Sequence, residues 1–268
     1  MSFYNGTKLL SLHDLKNEKP EIYISTSNRS AGKTTYFNRL CVNRFIKNQE
    51  KFCLVYRFKY ELDSIANKFF KDIQELFFEQ YEMSDESRGK GVYHELFLNG
   101  VSCGYAVALN CADQIKKYSH LMSDTKRMLF DEFQSETNNY CSREVEKLIS
   151  IHTSIARGGG KQVRYVPVYM ISNQVSVLNP YYTILGIGAR LQCKTKYLKG
   201  DGWVFENSFN ETASKAQIES GFNRAFSASK YVAYASQNIY LNDNYSFIEN
   251  VNGKNRYLCT IRYNNKDF

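Results

Sequence analysis

A chain of 268 residues, 43% of them apolar, is long enough to bury one substantial core and too apolar to be a disordered tail. Its net charge of +8 is spread along the chain, which points to a polyanionic partner such as nucleic acid and away from a polybasic membrane anchor. Seven cysteines without a C-x-x-C pair, and four histidines without H-E-x-x-H spacing, give a zinc site little support. No apolar run nears the roughly 20 residues that span a bilayer, and the thiols read as free, so a soluble protein of a reducing cytoplasm is expected.

In chain order, residues 1–20 are a polar lead-in whose Leu9, Leu10 and Leu12 are expected to pack on the body. Ile22–Ser25 has the short β-branched profile of a buried strand. It runs into Ser27-Asn28-Arg29-Ser30-Ala31-Gly32-Lys33-Thr34, and then into a stretch from Thr35 to Ile46 with Phe37, Leu40, Cys41 and Phe45 on one helical face. Strand, small-residue loop and helix make a phosphate cradle: backbone N–H groups and the helix N-terminus face an anion, Lys33 reaches the phosphates, and the Thr34 hydroxyl holds Mg²⁺. Ser27 stands where such loops usually carry Gly, a position expected to need a tight turn. The nucleotide-binding candidates are therefore Ser27 through Thr34 with the adjoining Thr35.

Phe52–Tyr56 reads as a second buried strand ending at Arg57, and Tyr60–Phe78 as a helix with Leu62, Ile65, Phe69, Phe70, Ile73 and Leu76 inward. This βαβα opening favours a mainly parallel sheet. Residues 82–91 are charged and read as an exposed loop. Asn99-Gly100 between Val92–Leu98 and Val101–Leu109 signals a two-residue hairpin. After a polar segment with Lys116 and Lys117 comes Met128-Leu129-Phe130-Asp131-Glu132-Phe133, an apolar strand closing on two carboxylates. Ser142–Ile155 is expected to form a helix presenting Val145, Leu148, Ile149 and His152, followed by Arg157 and a triple-glycine loop. Val166–Ile171 is a further strand, ending at Ser172-Asn173-Gln174. Ala189–Thr195 and Trp203–Glu206 are expected as later strands. From residue 208 the chain turns Ala/Ser-rich: Thr212–Ala235 reads as one helical linker or lid striped by Ile218, Phe222 and Phe226. Short strands are expected at Ile239–Leu241, Tyr245–Ile248 and Tyr257–Tyr263.

Two of these stretches need each other. A magnesium-bound triphosphate requires a cradle and a carboxylate at a neighbouring strand end, supplied by Asp131, while Glu132 is placed to polarise the attacking water. Asn173, at the next strand end, is a candidate γ-phosphate sensor, though a strand-end Asn is as commonly a turn cap. Arg157 is the candidate arginine finger for a neighbouring subunit. Asn264-Asn265-Lys266-Asp267 has the wrong spacing to read guanine, so ATP is the expected nucleotide.

With these residues in place, the chain resembles the DNA-packaging (encapsidation) ATPases of small short-tailed phages, ring ATPases related to the large terminases. The resemblance rests on Ser30-Ala31-Gly32-Lys33-Thr34, Val55-Tyr56-Arg57 with Glu61-Leu62, Phe130-Asp131-Glu132-Phe133, and Ile171-Ser172-Asn173 with Asn179-Pro180-Tyr181. It implies an α/β fold: a P-loop NTPase of the additional-strand, catalytic-glutamate type. A mainly parallel central sheet is flanked by helices and followed by a small helical linker and strand segment. The implied division is 1–207 for the ATPase domain, 208–236 for the linker or lid, and 237–268 for the strand-rich start of a C-terminal module, truncated in this chain or reduced.

The resemblance further implies ATP and Mg²⁺ as cofactors, with Lys33 and Thr34 on phosphate and metal, Asp131 on metal, Glu132 catalytic, Asn173 coupling, Arg157 trans-acting, and Lys116 or Lys117 as a further trans-acting lysine. Its partners would be double-stranded DNA, a homo-oligomeric ring (a pentamer by resemblance) and the phage portal and procapsid, with no membrane. It would work in the host cytoplasm and transiently at the portal vertex. A nucleotide-dependent switch or assembly factor, or a helicase-like motor, would use the same cradle and remain open at this level.

Overall fold

The computed structural model describes residues 3–64, 69–157, 161–192, 194–242, 259–260, 262–263 and 266–267. A short helix α1 (Thr7–Leu10) precedes β1 (Ile22–Ser27), α2 (Lys33–Asn48) and β2 (Phe52–Tyr56). Next come α3 (Lys71–Phe77), β3 (Met83–Arg88), β4 (Tyr93–Leu98), β5 (Val101–Ala108), α4 (Ala112–Ile115) and β6 (Arg127–Asp131). Then α5 (Glu144–Ala156), β7 (Val168–Asn173), α6 (Pro180–Leu185), β8 (Tyr197–Lys199) and β9 (Trp203–Asn207) complete the main sheet and its cover. Helices α7 (Glu211–Glu219), α8 (Gly221–Ala225) and α9 (Lys230–Gln237) follow, with a minimal antiparallel pair β10 (Arg262–Tyr263) and β11 (Lys266–Asp267).

The nine-stranded sheet has the order β3-β4-β5-β2-β6-β7-β1-β9-β8. Its six central strands, β5 to β9 in that order, run parallel, and the antiparallel pairings are confined to the two edges. Because successive side chains in a strand point to opposite faces, β1, β2, β6 and β7 each feed two cores. On one face Tyr23, Phe52, Leu54, Leu129, Tyr169 and Ile171 pack against Phe37, Cys41 and Phe45 of α2. On the other, Ile24, Cys53, Val55, Phe130 and Met170 pack against Ile151 and Ile155 of α5 and Tyr182 of α6. At about 1.5–3 kcal/mol for each large apolar side chain fully buried, these two layers stabilise the sheet from both faces.

The hairpin at Asn99-Gly100 forms as expected, both residues holding positive φ (50° and 72°) in the two-residue turn joining β4 and β5. Several expectations are corrected. Residues 82–91 are not simply a loop: β3 pairs with β4, and its charges suit a solvated edge strand. In place of a continuous helix over Tyr60–Phe78 there is a 3₁₀ turn at Lys59–Ser64 and the short α3; Leu76 is exposed, and Ile65 lies outside the described residues. Ile149 of α5 faces solvent, while Ile151 and Ile155 take the core positions. The described residues of Ala189–Thr195 form no strand; a 3₁₀ turn at Gly188–Arg190 precedes β8. Thr212–Ala235 is broken into three helices because Ser220 and Ser229 each accept a backbone N–H and begin a new one. Ile239–Leu241 is irregular, and the expected strand at Tyr245–Ile248 and the glycines after Arg157 lie outside the described residues.

Candidate nucleotide site

The carboxyl ends of β1, β7 and β6 stand side by side, with β7 between the other two; Ser27 is in register with Asn173, and Asp131 with Ile171. This is the edge of an open parallel sheet where ligands bind. The loop after β1 wraps the N-terminus of α2. Positive φ falls at Ser30 (59°) and Gly32 (93°), not at Ser27, which is the last residue of β1. The tight turn expected at Ser27 is therefore absent, and its hydroxyl instead holds the lysine of the cradle. Fully buried, it donates to the carbonyl of Asn28 at 2.9 Å and accepts from Lys33 Nζ at 2.5 Å.

Lys33 is folded down into the cradle, its amine also 3.4 Å from Asn173 Oδ1. Burial lowers its pKa to about 8, against the opposing pull of Asp131. Asp131 is pushed up to about 6, first by burial and then by the neighbouring Glu132. The Thr34 hydroxyl hydrogen-bonds the Asp131 carboxylate. One carboxylate beside one hydroxyl is a pair of hard oxygen donors that suits Mg²⁺ shared with phosphate oxygens. Among the described residues, no cluster of three or more His, Cys, Asp or Glu offers an all-protein metal cage instead.

Glu132 follows directly in the left-handed region, φ 54°, its N–H bonded to Asp131 Oδ1 at 2.8 Å. A non-glycine residue held there is strained, and here the strain swings the Glu132 side chain out of the strand into the open. Arg57, at the end of β2, supports this turn. Its Nη2 donates to the carbonyls of Phe133 (2.8 Å) and Glu132 (3.3 Å), and its Nε is paired with buried Glu144 at 2.9 Å. Glu144 is further held by Tyr181 Oη and the N–H of Cys141.

A cleft of about 700 Å³ runs over the loop and is lined by residues from Arg29 to Thr35 together with Asp131, Glu132 and Asn173. A smaller one of about 260 Å³ opens on the far side of Glu132 between Arg57, Glu61, Glu136 and Tyr234. Ser27, Lys33, Thr34, Asp131, Glu132 and Asn173 are thus brought to one place. Arg157 is not. α5 ends at the edge where the strands begin: the carbonyl of Ala156 accepts from the N–H of Arg164, whose guanidinium bonds Thr125 just before β6. Exposed there, Arg157 donates from Nε to the carbonyl of Thr153 at 3.3 Å, its one hydrogen bond among the described residues. Lys116 and Lys117 are exposed past α4, Lys116 paired with Asp113 at 3.2 Å, and neither lines these clefts.

The sequence reading missed a clasp on the loop. Asn28 and Asn210 exchange side-chain and main-chain bonds at 2.9 and 3.1 Å, and Gln217 Nε2 donates to Ser30 Oγ at 3.0 Å. Arg29 pairs with Glu136 at 2.8 Å and donates to Tyr231 Oη; Tyr234 Oη donates to Glu136 at 2.6 Å and hydrogen-bonds Asn173. The pair Tyr231 and Tyr234, three apart on one helix face, was the available signal; Glu136 had none.

Strand order, cradle and paired carboxylates define a P-loop ATPase of the additional-strand type, the extra strand being β7. The chain belongs to the Podovirus DNA encapsidation protein (Gp16) family, whose profile matches residues 1–268. It is 26% identical over 264 residues to the DNA packaging proteins of Bacillus phages PZA and phi29, a match covering 98% of this chain and 73% of each of theirs. Among solved structures, the N-terminal domain of the DNA packaging ATPase from bacteriophage phi29 matches with a TM-score of 0.61 at 26% identity, over 77% of this chain and 96% of that one. A chain of the phi29 genome packaging motor assembly shares the fold over 100% of this chain and 76% of its own, with a TM-score of 0.63 at 23% identity. No helix among the described residues is long and apolar enough to cross a membrane.

Proposed function

We propose that this chain hydrolyses ATP to drive double-stranded viral DNA into a preformed capsid, as one subunit of a homo-oligomeric ring at the portal. The observation that carries the reading is the convergence of Lys33, Thr34, Asp131, Glu132 and Asn173 on one cleft in a chain of the encapsidation family. In this reading the N–H groups of Arg29–Thr34 and the amine of Lys33 bind the β- and γ-phosphates, and Thr34 and Asp131 hold Mg²⁺. Bound there, the ion neutralises charge on the phosphate oxygens. Glu132, in its left-handed turn, orients the attacking water and accepts its proton. Lys33 must leave Ser27 and Asn173 to meet phosphate, so Asn173 changes partner with nucleotide state and its bond to Tyr234 passes that change to α9. We assign α7–α9 the role of a lid.

Arg157 lies too far round the sheet to serve its own subunit, which supports a role toward a neighbour's nucleotide. In the cleft beyond Glu132, Arg29 is paired with Glu136 and Arg57 with Glu144, which leaves the carboxylates of Glu61 and Glu132 to receive it, or Lys116 or Lys117. The test is ATP turnover with and without duplex DNA. Wild type is expected to be stimulated by the duplex, and Glu132→Gln to keep ATP binding and lose turnover. A rate indifferent to DNA of any form would instead assign a nucleotide-dependent switch.

A further inference from the structure

The phosphate loop and its carboxylates occupy only part of the 700 Å³ cleft; the rest is walled by Phe3, Tyr36, Arg39, Leu76 and Phe77. These residues come from three separate parts of the chain, namely the N-terminal segment, the first turns of α2, and the C-terminal end of α3. The N–H of Tyr4 bonds the carbonyl of Ala31 at 2.8 Å, and Tyr4 Oη donates to the buried carboxylate of Glu206 at 2.6 Å. That carboxylate also accepts from Ser25 and Tyr197 and has no cationic partner among its hydrogen bonds, so its bonded role is to hold hydroxyls. The clamp lays the N-terminal segment across the loop, where a Cβ built on Gly32 would sit 3.6 Å from the Phe3 ring. Opposite, the Arg39 guanidinium stacks over the Phe77 ring at 4.3 Å, and Tyr36 packs edge-on to Tyr4. Phe3 itself is 70% exposed, an aromatic face held at the rim of a polar cradle and, among the described residues, stacked on no other ring.

We infer that this aromatic end of the cleft is the base subsite of the nucleotide, with Phe3 and the Arg39–Phe77 stack as its platforms and Tyr4–Glu206 as the clamp that positions Phe3. The occupant follows from continuity: a ligand whose phosphates fill the cradle extends along the same cleft, and a planar heterocycle matches both an aromatic face and a guanidinium plane. The inference rests on the nucleotide reading of the loop above. Phe3 and Phe77 would touch the base; Tyr4 and Glu206 act through Phe3.

Comparing two probes separates this subsite from the cradle: ADP, which has a base, and inorganic tripolyphosphate, which has none, each titrated with Mg²⁺ into the full chain. Phe3→Ala and Phe77→Ala are each expected to weaken ADP on the order of tenfold while leaving tripolyphosphate within about twofold, which also verifies that the variants fold. Tyr4→Phe keeps the ring and removes the clamp, and is expected to weaken ADP alone by a smaller factor. If both probes lose affinity together, or ADP is unaffected, the base subsite is overturned while the cradle stands. If wild type binds neither probe, the nucleotide reading falls with it.

Discussion

Arg57 holds the main-chain carbonyl of Glu132 at 3.3 Å while its Nε is locked to Glu144 at 2.9 Å, so the turn that presents the acidic residue is tied to a buried ion pair. The pair has little access to water, and removing one member leaves the other charged and unpartnered. Arg57→Ala is expected to cost about 3–5 kcal/mol of stability, and Arg57→Lys to recover only part of it, because an ammonium cannot bridge the carboxylate and two carbonyls at once. Denaturant unfolding of the two variants checks this. Equal stability of Arg57→Ala and wild type would show that the pair does not hold the turn.

Glu132 occupies left-handed backbone, which costs an L-residue about 1–2 kcal/mol and a glycine almost nothing. Glu132→Gly is therefore expected to be more stable than Glu132→Ala by about 1 kcal/mol, with both inactive in ATP turnover. Thermal unfolding of the pair tests the geometry separately from the chemistry. The reverse order of stability would contradict the strained turn.

Asp131 and Lys33 predispose the site to proton exchange with opposite signs. The folded chain binds the Asp131 proton more tightly than the unfolded chain does, so its contribution to stability falls as pH rises from the ordinary 3.8 through about 6. The folded chain releases the Lys33 proton more readily, so that contribution rises with pH between about 8 and the ordinary 10.5. Phosphate and Mg²⁺ require the carboxylate ionised and the amine charged. Nucleotide binding is thus expected to release a proton near pH 5.5 and take one up near pH 8.5, on the scale of the two shifted groups. Calorimetry in buffers of different ionisation enthalpy reads this directly, and an exchange of one sign at both pH values would contradict it.

Arg157 is exposed at the edge where the strands begin, and among the described residues it is bonded only to Thr153 of its own helix. Arg157→Ala is expected to leave stability within about 0.5 kcal/mol and to reduce turnover severely. Mixing it with Glu132→Gln is expected to restore turnover, since intact sites then face intact fingers. No recovery in the mixture, with both variants assembled, would remove Arg157 from the site.

What the sequence made legible was local. The cradle, the strand before it and the helix after it are contiguous, and Asp131-Glu132 closes a single apolar strand. Asn99-Gly100 is a turn written in two residues. The charged strand β3 escaped because an edge exposed to water needs no apolar alternation, and the helices of residues 211–237 merged because the breaks depend on single serine caps. The remaining relationships join distant positions. Arg57 to Glu144, Arg29 to Glu136 and Tyr4 to Glu206 span the chain with no spacing rule to announce them. Even Ser27, an irregular letter in a known pattern, is explained by a partner six residues on: its hydroxyl receives the Lys33 amine.

The central claim, that hydrolysis at this site moves DNA, is tested most directly by the amount of double-stranded DNA made nuclease-resistant when protein, ATP and empty procapsids bearing a portal are combined. Protection is expected to require ATP and to vanish in Glu132→Gln, which is expected to bind nucleotide without turning it over. Equal protection by Glu132→Gln and wild type would contradict the account.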